Sequence, residues 1–105
     1  MNLEIKSEVI EAEAVLHLVG AIDSATSPNF LAAMEAALAS KPPALTLDFE
    51  HTTFLSSAGL RVIIIARQKM PSLRLNLYRP SEAIVNTLKI SGFYDSVYVL
   101  GAPPE

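Results

Sequence analysis

In the stretch "NLEIKSEV" apolar residues alternate with polar or charged ones, and "AEAVLHLVG" repeats the alternation after a glutamate-rich break. A period of two is that of a strand, whose successive side chains point to opposite faces. Two strands joined by a turn are predicted, with Leu3, Ile5 and Val15 available for a core and Leu16 and Leu18 as further candidates. After Gly20 the period changes. Phe30, Leu31, Met34, Ala37 and Leu38 recur at three and four, the spacing of one helix face, and the helix ends near Ser40. Two starts are open to it: Asp23 as an early cap, or Ser27 followed by Pro28, whose missing N–H does no harm in the first turn. "KPP" at 41–43 stops the helix, because proline and the residue before it disfavour the α region.

A strand in "ALTLDFE" follows, then a short loop, a helix over 57–69, a strand in "LRLNLY" at 73–78, a helix in "PSEAIVNTLKISG" and a last strand in "DSVYVL". The third helix has Pro80 or Ser81 at its start, Ile84, Leu88 and Val85 toward the core, Lys89 in its final turn and Gly92 as its C-cap. The predicted order is β-β-α-β-α-β-α-β. Strands alternating with helices imply an α/β fold with a mixed, mostly parallel sheet fed by crossovers. One domain over 1–105 is expected, with a flexible tail from about 101 to 105.

Composition narrows the function. Half of the 105 residues are hydrophobic, 18% are charged and the net charge is −3, with the basic residues scattered singly. No basic stripe exists to neutralise a row of phosphates, so direct nucleic-acid binding is not expected. There is no cysteine, which removes thiolate catalysis and Cys-based zinc sites, and two histidines without a paired-ligand spacing suggest no metal. The first twenty residues lack the basic start and apolar core of a signal peptide. The longest pure apolar run, "VIIIA", is far short of the roughly 20 residues that cross a bilayer. A soluble, cytoplasmic chain without cofactor is the expectation.

The chemistry concentrates in "DFEHTTFLSSAGLRVIIIARQK". A helix opens at or just after Ser56 and Ser57, where a serine hydroxyl can take a free N–H of the first turn, worth about 0.5–2 kcal/mol. Gly59 is less favourable there than alanine by about 1 kcal/mol, which suggests that something approaches the backbone closely. The helix is apolar nearly all round, with Leu60, Ile63 and Ile64 on one face and Val62, Ile65 and Ala66 extending it. Such a helix is sandwiched or partly covered by a partner. A hydrolase with Ser57 as nucleophile and His51 as base is disfavoured, because the turn is not G-x-S-x-G and no oxyanion loop is evident. Phe93, Tyr94 and Tyr98 read as core and sheet residues.

The segment "LDFEHTTFLSSAGLRVI" resembles the signature of STAS domains, the modules shared by anti-sigma factor antagonists and the cytosolic parts of sulfate transporters. "LVGAIDSATSPNF" resembles the family's Gly-x-x-Asp loop entering the first helix, and "LKISGF" the end of its third helix. The resemblance implies a mixed sheet with helices packed against it. Antagonists of this kind commonly carry Asp-Ser-Ser/Thr-Gly at the turn, and the serine after the aspartate is phosphorylated by the anti-sigma factor, an ATP-dependent serine kinase. On this chain Gly59 matches the glycine, Ala58 the second hydroxyl residue, Ser57 the phosphorylated serine and Ser56 the aspartate. The change to Ser56 removes a carboxylate and adds a competing acceptor. Asp23 resembles the family's acidic residue near the phosphorylation site.

The resemblance thus implies a non-enzymatic switch: the unmodified protein binds the kinase and frees its sigma factor, phosphorylation at Ser57 abolishes binding, and a PP2C-type phosphatase reverses it. The partner surface is expected to include Asp23, Ser24, Ser56, Ser57, Ala58, Gly59, Leu60, Arg61 and Ile64. Arg61, one turn from Ser57, is a solvated residue or a contact to phosphate or partner. The expected state is a monomer, with weak self-association through the apolar helix. A second reading is a non-phosphorylated scaffold subunit of a lipid transporter's ATPase. A nucleotide-binding module is weaker, because no phosphate loop with Lys-Ser/Thr is present.

Overall fold

The computed structural model describes residues 2–101. Its elements run β1 (Leu3–Ile10), β2 (Glu13–Ile22), α1 (Ser27–Leu38), β3 (Ala44–Asp48), β4 (Thr52–Leu55), α2 (Ser57–Lys69), β5 (Arg74–Tyr78), α3 (Glu82–Ile90), a 3-10 turn (Tyr94–Ser96) and β6 (Tyr98–Leu100). The sheet order is β1-β2-β3-β5-β6, with β4 pairing β2 beyond the end of β3. Only β1 is antiparallel to its neighbour; the other pairings are parallel. This is the mixed, mostly parallel sheet that the element order predicts. Among the expected tail residues only Gly101 is described; 102–105 lie outside the described residues.

One face of the sheet carries Leu16, Leu18, Leu45, Leu47, Leu75 and Leu77, all essentially inaccessible. Phe30 and Met34 of α1, Ile63 of α2 and Ile84 and Leu88 of α3 pack onto it as one cluster. Fully burying each such side chain contributes roughly 1.5–3 kcal/mol. Leu16 and Leu18 thus take the core positions of β2, while Val15, expected there, lies half-buried on the opposite face. The pairing explains it: Val15 and His17 align with Thr46 and Asp48 of β3, and Leu16 with Leu47.

The predicted loop "HTTFL" is in part a strand. Thr52–Leu55 continues the edge that β3 leaves at Asp48, held by the Thr52 hydroxyl, which donates to the Leu18 carbonyl (2.7 Å). The last strand starts later than expected, because residues 94–96 wind into a 3-10 turn. Helix α3 closes as its sequence predicts. The Ser81 hydroxyl accepts from the Ile84 N–H (3.3 Å), and the Phe93 and Gly92 N–H groups return to the Leu88 and Lys89 carbonyls.

On the open face His17 stands between two carboxylates. Its Nδ1 is 2.7 Å from Asp48 Oδ2 and its Nε2 meets Glu8 Oε2, so the imidazole ties β1 to β2 and β3. The Asp48 contact, then that of Glu8, raises its pKa above the ordinary 6.5. A raised pKa stabilises the fold fully below 6.5, and that contribution disappears as pH rises through the folded value. We therefore expect the His17 ring to titrate above 6.5 by NMR, and the urea midpoint to fall with pH above 6.5 in wild type but not in His17→Gln. A ring midpoint at or below 6.5 would contradict the clasp.

Candidate phosphoacceptor site

Strands β2 and β4 end side by side: Ile22 aligns with Leu55, and the Ser56 N–H donates to the Ile22 carbonyl (2.8 Å). Asp23 and Ser56, the next residues of the two strands, leave the sheet as neighbours. The site lies at the carboxyl ends of parallel strands, where loops are free to carry function.

The two serines divide the roles that the sequence left open. Ser56 is the N-cap of α2, with extended backbone, and its Oγ accepts from the Gly59 N–H (3.2 Å). Ser57 is the first helical residue and is exposed, and among the described residues no hydrogen bond engages its hydroxyl. The cap uses one first-turn donor and leaves Ser57 Oγ accessible beside the positive end of the helix dipole.

Asp23 does organise a turn, as the capping reading expected, but not as the N-cap itself. Helix α1 begins at Ser27 with Pro28 in its first turn. Asp23 Oδ1 accepts the N–H groups of Ala25 and Thr26, both at 2.9 Å. The Thr26 N–H, then its hydroxyl and the Ala25 N–H, hold the Asp23 pKa below the ordinary 3.8. The carboxylate is therefore ionised at neutral pH, and it neighbours Ser56 through the strand pairing. Both roles proposed for Asp23 are thus compatible. Thr26, which completes this turn, carried no signal in the sequence beyond a hydroxyl near a helix start.

Two of the expected surface residues turn inward. Gly59 and Leu60 are buried, so neither presents a side to a partner. The close approach that Gly59 implied is intramolecular. A Cβ there would lie 2.6 Å from Ile22 Cγ2 and 2.7 Å from Leu55 Cδ1, both core side chains. The helix opening packs directly on the ends of β2 and β4, and this outweighs the propensity of about 1 kcal/mol that alanine would offer. Of the other expected contacts, Ser24 and Arg61 are exposed, and Ser56, Ala58 and Ile64 are half-buried.

The apolar helix is sandwiched. Val62, Ile65 and Ala66 face Leu31, Met34 and Leu38 of α1, while Leu60 and Ile63 join the core. No large apolar residue of α2 is exposed, although Ile64 and Ile65 are half-buried. The exposed aromatic beside the site is Phe54, at 51% accessibility; its place on β4 was hidden by reading that segment as a loop. His51 points toward Glu50 (3.7 Å), and among the described residues no hydrogen bond joins it to Ser57. Phe93 is buried and Tyr94 half-buried under Lys89. Tyr98, expected in the sheet, lies on its open face beneath the Arg74 guanidinium (4.3 Å). Among the described residues no three His, Cys, Asp or Glu side chains group as metal ligands, and no helix is long and apolar enough to cross a membrane.

A mixed sheet covered on one face by three helices, with an accessible serine at the opening of the second helix, defines a small α/β domain. The STAS domain model matches residues 2–102, and the chain belongs to the STAS domain family. Its fold is similar to that of an anti-sigma factor antagonist from Mycobacterium paratuberculosis, with a TM-score of 0.86 at 22% identity over 96% of this chain and 87% of that one. The unphosphorylated anti-sigma factor antagonist SpoIIAA gives 0.69 at 16% identity, over 97% and 90% of the two chains. The Bacillus cell fate determinant SpoIIAA in its phosphorylated form gives 0.68 at 17%, over 93% and 90%. No curated protein sequence matches the chain significantly.

Proposed function

We propose that the protein is an anti-sigma factor antagonist whose binding is controlled by phosphorylation of Ser57. The unmodified form binds a serine-kinase anti-sigma factor and frees its sigma factor. Transfer of phosphate from ATP to Ser57 ends that association, and a PP2C-type phosphatase restores it. These partners would place the protein in the cytoplasm. The observation that carries the reading is the division of labour between the serines: Ser56 caps α2, while Ser57 is exposed with its hydroxyl unengaged. A scaffold of a transporter ATPase would need the turn only as a helix cap, and Ser56 alone supplies that.

Phosphate at Ser57 adds about −1.5 to −2 charges at neutral pH. The helix N-terminus accommodates an anion, so the fold survives. The partner surface changes sign of preference, because a phosphate beside the ionised Asp23 opposes desolvation against another protein. The test is incubation with ATP, magnesium and each candidate anti-sigma kinase, followed by mass-spectrometric mapping. Phosphate on Ser57 that is absent from Ser57→Ala supports the reading. Phosphate on Ser56 in the wild type would move the acceptor by one residue and contradict it.

A further inference from the structure

Thr26 sits at the start of α1, yet its side chain does not cap that helix. The hydroxyl, in a residue only 6% exposed, accepts from the Asp23 N–H (2.9 Å) and donates to the Ala21 carbonyl (2.8 Å), with Asp23 Oδ1 at 3.2 Å. Its backbone N–H donates to the same Oδ1. One buried residue thus fastens both the main chain and the carboxylate of Asp23 to the end of β2, the strand that pairs with β4 directly below Ser56. Oδ1 is consumed inside the turn. Among the described residues no hydrogen bond engages Oδ2, so that is the oxygen left for a partner.

We propose that Thr26 is the positioning residue of the Ser57 site, holding the Asp23 turn in one geometry so that the kinase meets a preformed surface. The proposal rests on the reading of Ser57 as the phosphoacceptor. Thr26 is placed to act through Asp23, by sparing the complex the cost of ordering that turn on binding. Its loss should therefore weaken recognition and leave the chemical step nearly unchanged. A residue needed only for stability would show no such split between KM and kcat.

The test compares wild type, Thr26→Val, which keeps the shape and loses both hydrogen-bonding roles, and Thr26→Ser, which keeps them. Two quantities are read: the NMR titration of the Asp23 carboxyl, and KM and kcat for Ser57 phosphorylation by the kinase that modifies the wild type. Thr26→Val keeps the backbone N–H that is the first cause of the low Asp23 pKa, so the Asp23 midpoint should rise only part of the way toward 3.8, while KM rises about tenfold, the worth of a hydrogen bond to a charged group. Its kcat, and both quantities for Thr26→Ser, should stay within about twofold or unshifted. An unmoved Asp23 midpoint in Thr26→Val overturns the proposal, as does a moved midpoint with unchanged KM. If Thr26→Val does not fold, Asp23→Asn, which retains an acceptor for the turn, must raise KM at constant kcat; an unchanged KM overturns the proposal. If no kinase modifies wild-type Ser57, the functional reading falls and the recognition role with it, while the titration separately decides whether Thr26 holds the carboxylate.

Discussion

Gly20→Ala should destabilise the protein by about 3 kcal/mol or more, lowering its melting temperature by more than about 10 °C. Gly20 has φ +118°, a conformation that L side chains rarely adopt, and a Cβ there would stand 2.1 Å from the Asn2 carbonyl oxygen. The obstacle is backbone and cannot swing aside. To admit the methyl group, the start of β1 must lift from β2, losing the Ala21 N–H bond to Asn2 O and the Leu3 pairing with Gly20. The same residue borders the register shift within the pairing of β2 with β4, so the displacement runs toward Asp23 and Ser56. Gly92→Ala separates the two causes. Gly92 also has positive φ (+77°) but nothing within 4 Å of its Cβ position, so only the conformational cost of about 1 kcal/mol applies. Equal thermal shifts for the two variants would show that the contact with Asn2 is unimportant.

Ser57→Asp should fold as the wild type does and lose at least about a hundredfold in affinity for the cognate kinase, or about 2.8 kcal/mol at 1.4 per decade. Folding is spared because the residue is exposed and a carboxylate is favourable in the first turn of a helix. Binding is not spared. A new anion at the centre of the proposed interface must be desolvated, and it joins Asp23, which the turn keeps ionised. Calorimetric titration on wild type, Ser57→Asp and Ser57→Asn distinguishes charge from shape. The asparagine variant should bind far more tightly than the aspartate one, and equal losses in both would assign the effect to size.

Much of this was legible from periodicity. The alternation in β1, β2 and β5 and the three- and four-residue spacing in α1 and α3 placed those elements, because each turns one set of side chains toward the core. Phase was harder to read. Val15, Leu16 and Leu18 are all apolar, and only the register with Leu45 and Leu47 decides which of them turn toward the helices. Strand β4 escaped notice because four residues with two threonines carry little pattern, and its existence depends on the edge that β3 leaves open. At the site, the hydroxyl pair announced chemistry but not its allocation. Ser56 became the cap and Ser57 the free hydroxyl through where α2 begins, one residue after the Ile22 carbonyl takes the Ser56 N–H. Gly59 was rightly read as a close approach, but its neighbours, Ile22 and Leu55, are distant in sequence and lie in the protein's own core. Thr26 could not be seen at all, since its role lies in a buried bond to Ala21 across the turn.

The central claim is that one phosphate on Ser57 converts a binding surface into a non-binding one without unfolding it. The most direct measurement is the affinity of the cognate anti-sigma kinase for this protein before and after enzymatic phosphorylation, with circular dichroism on both forms. The account predicts tight binding by the unmodified form, no measurable binding by the form phosphorylated at Ser57, and the same spectrum for both. Equal affinity of the two forms, or binding lost only because the phosphorylated chain has unfolded, would contradict it.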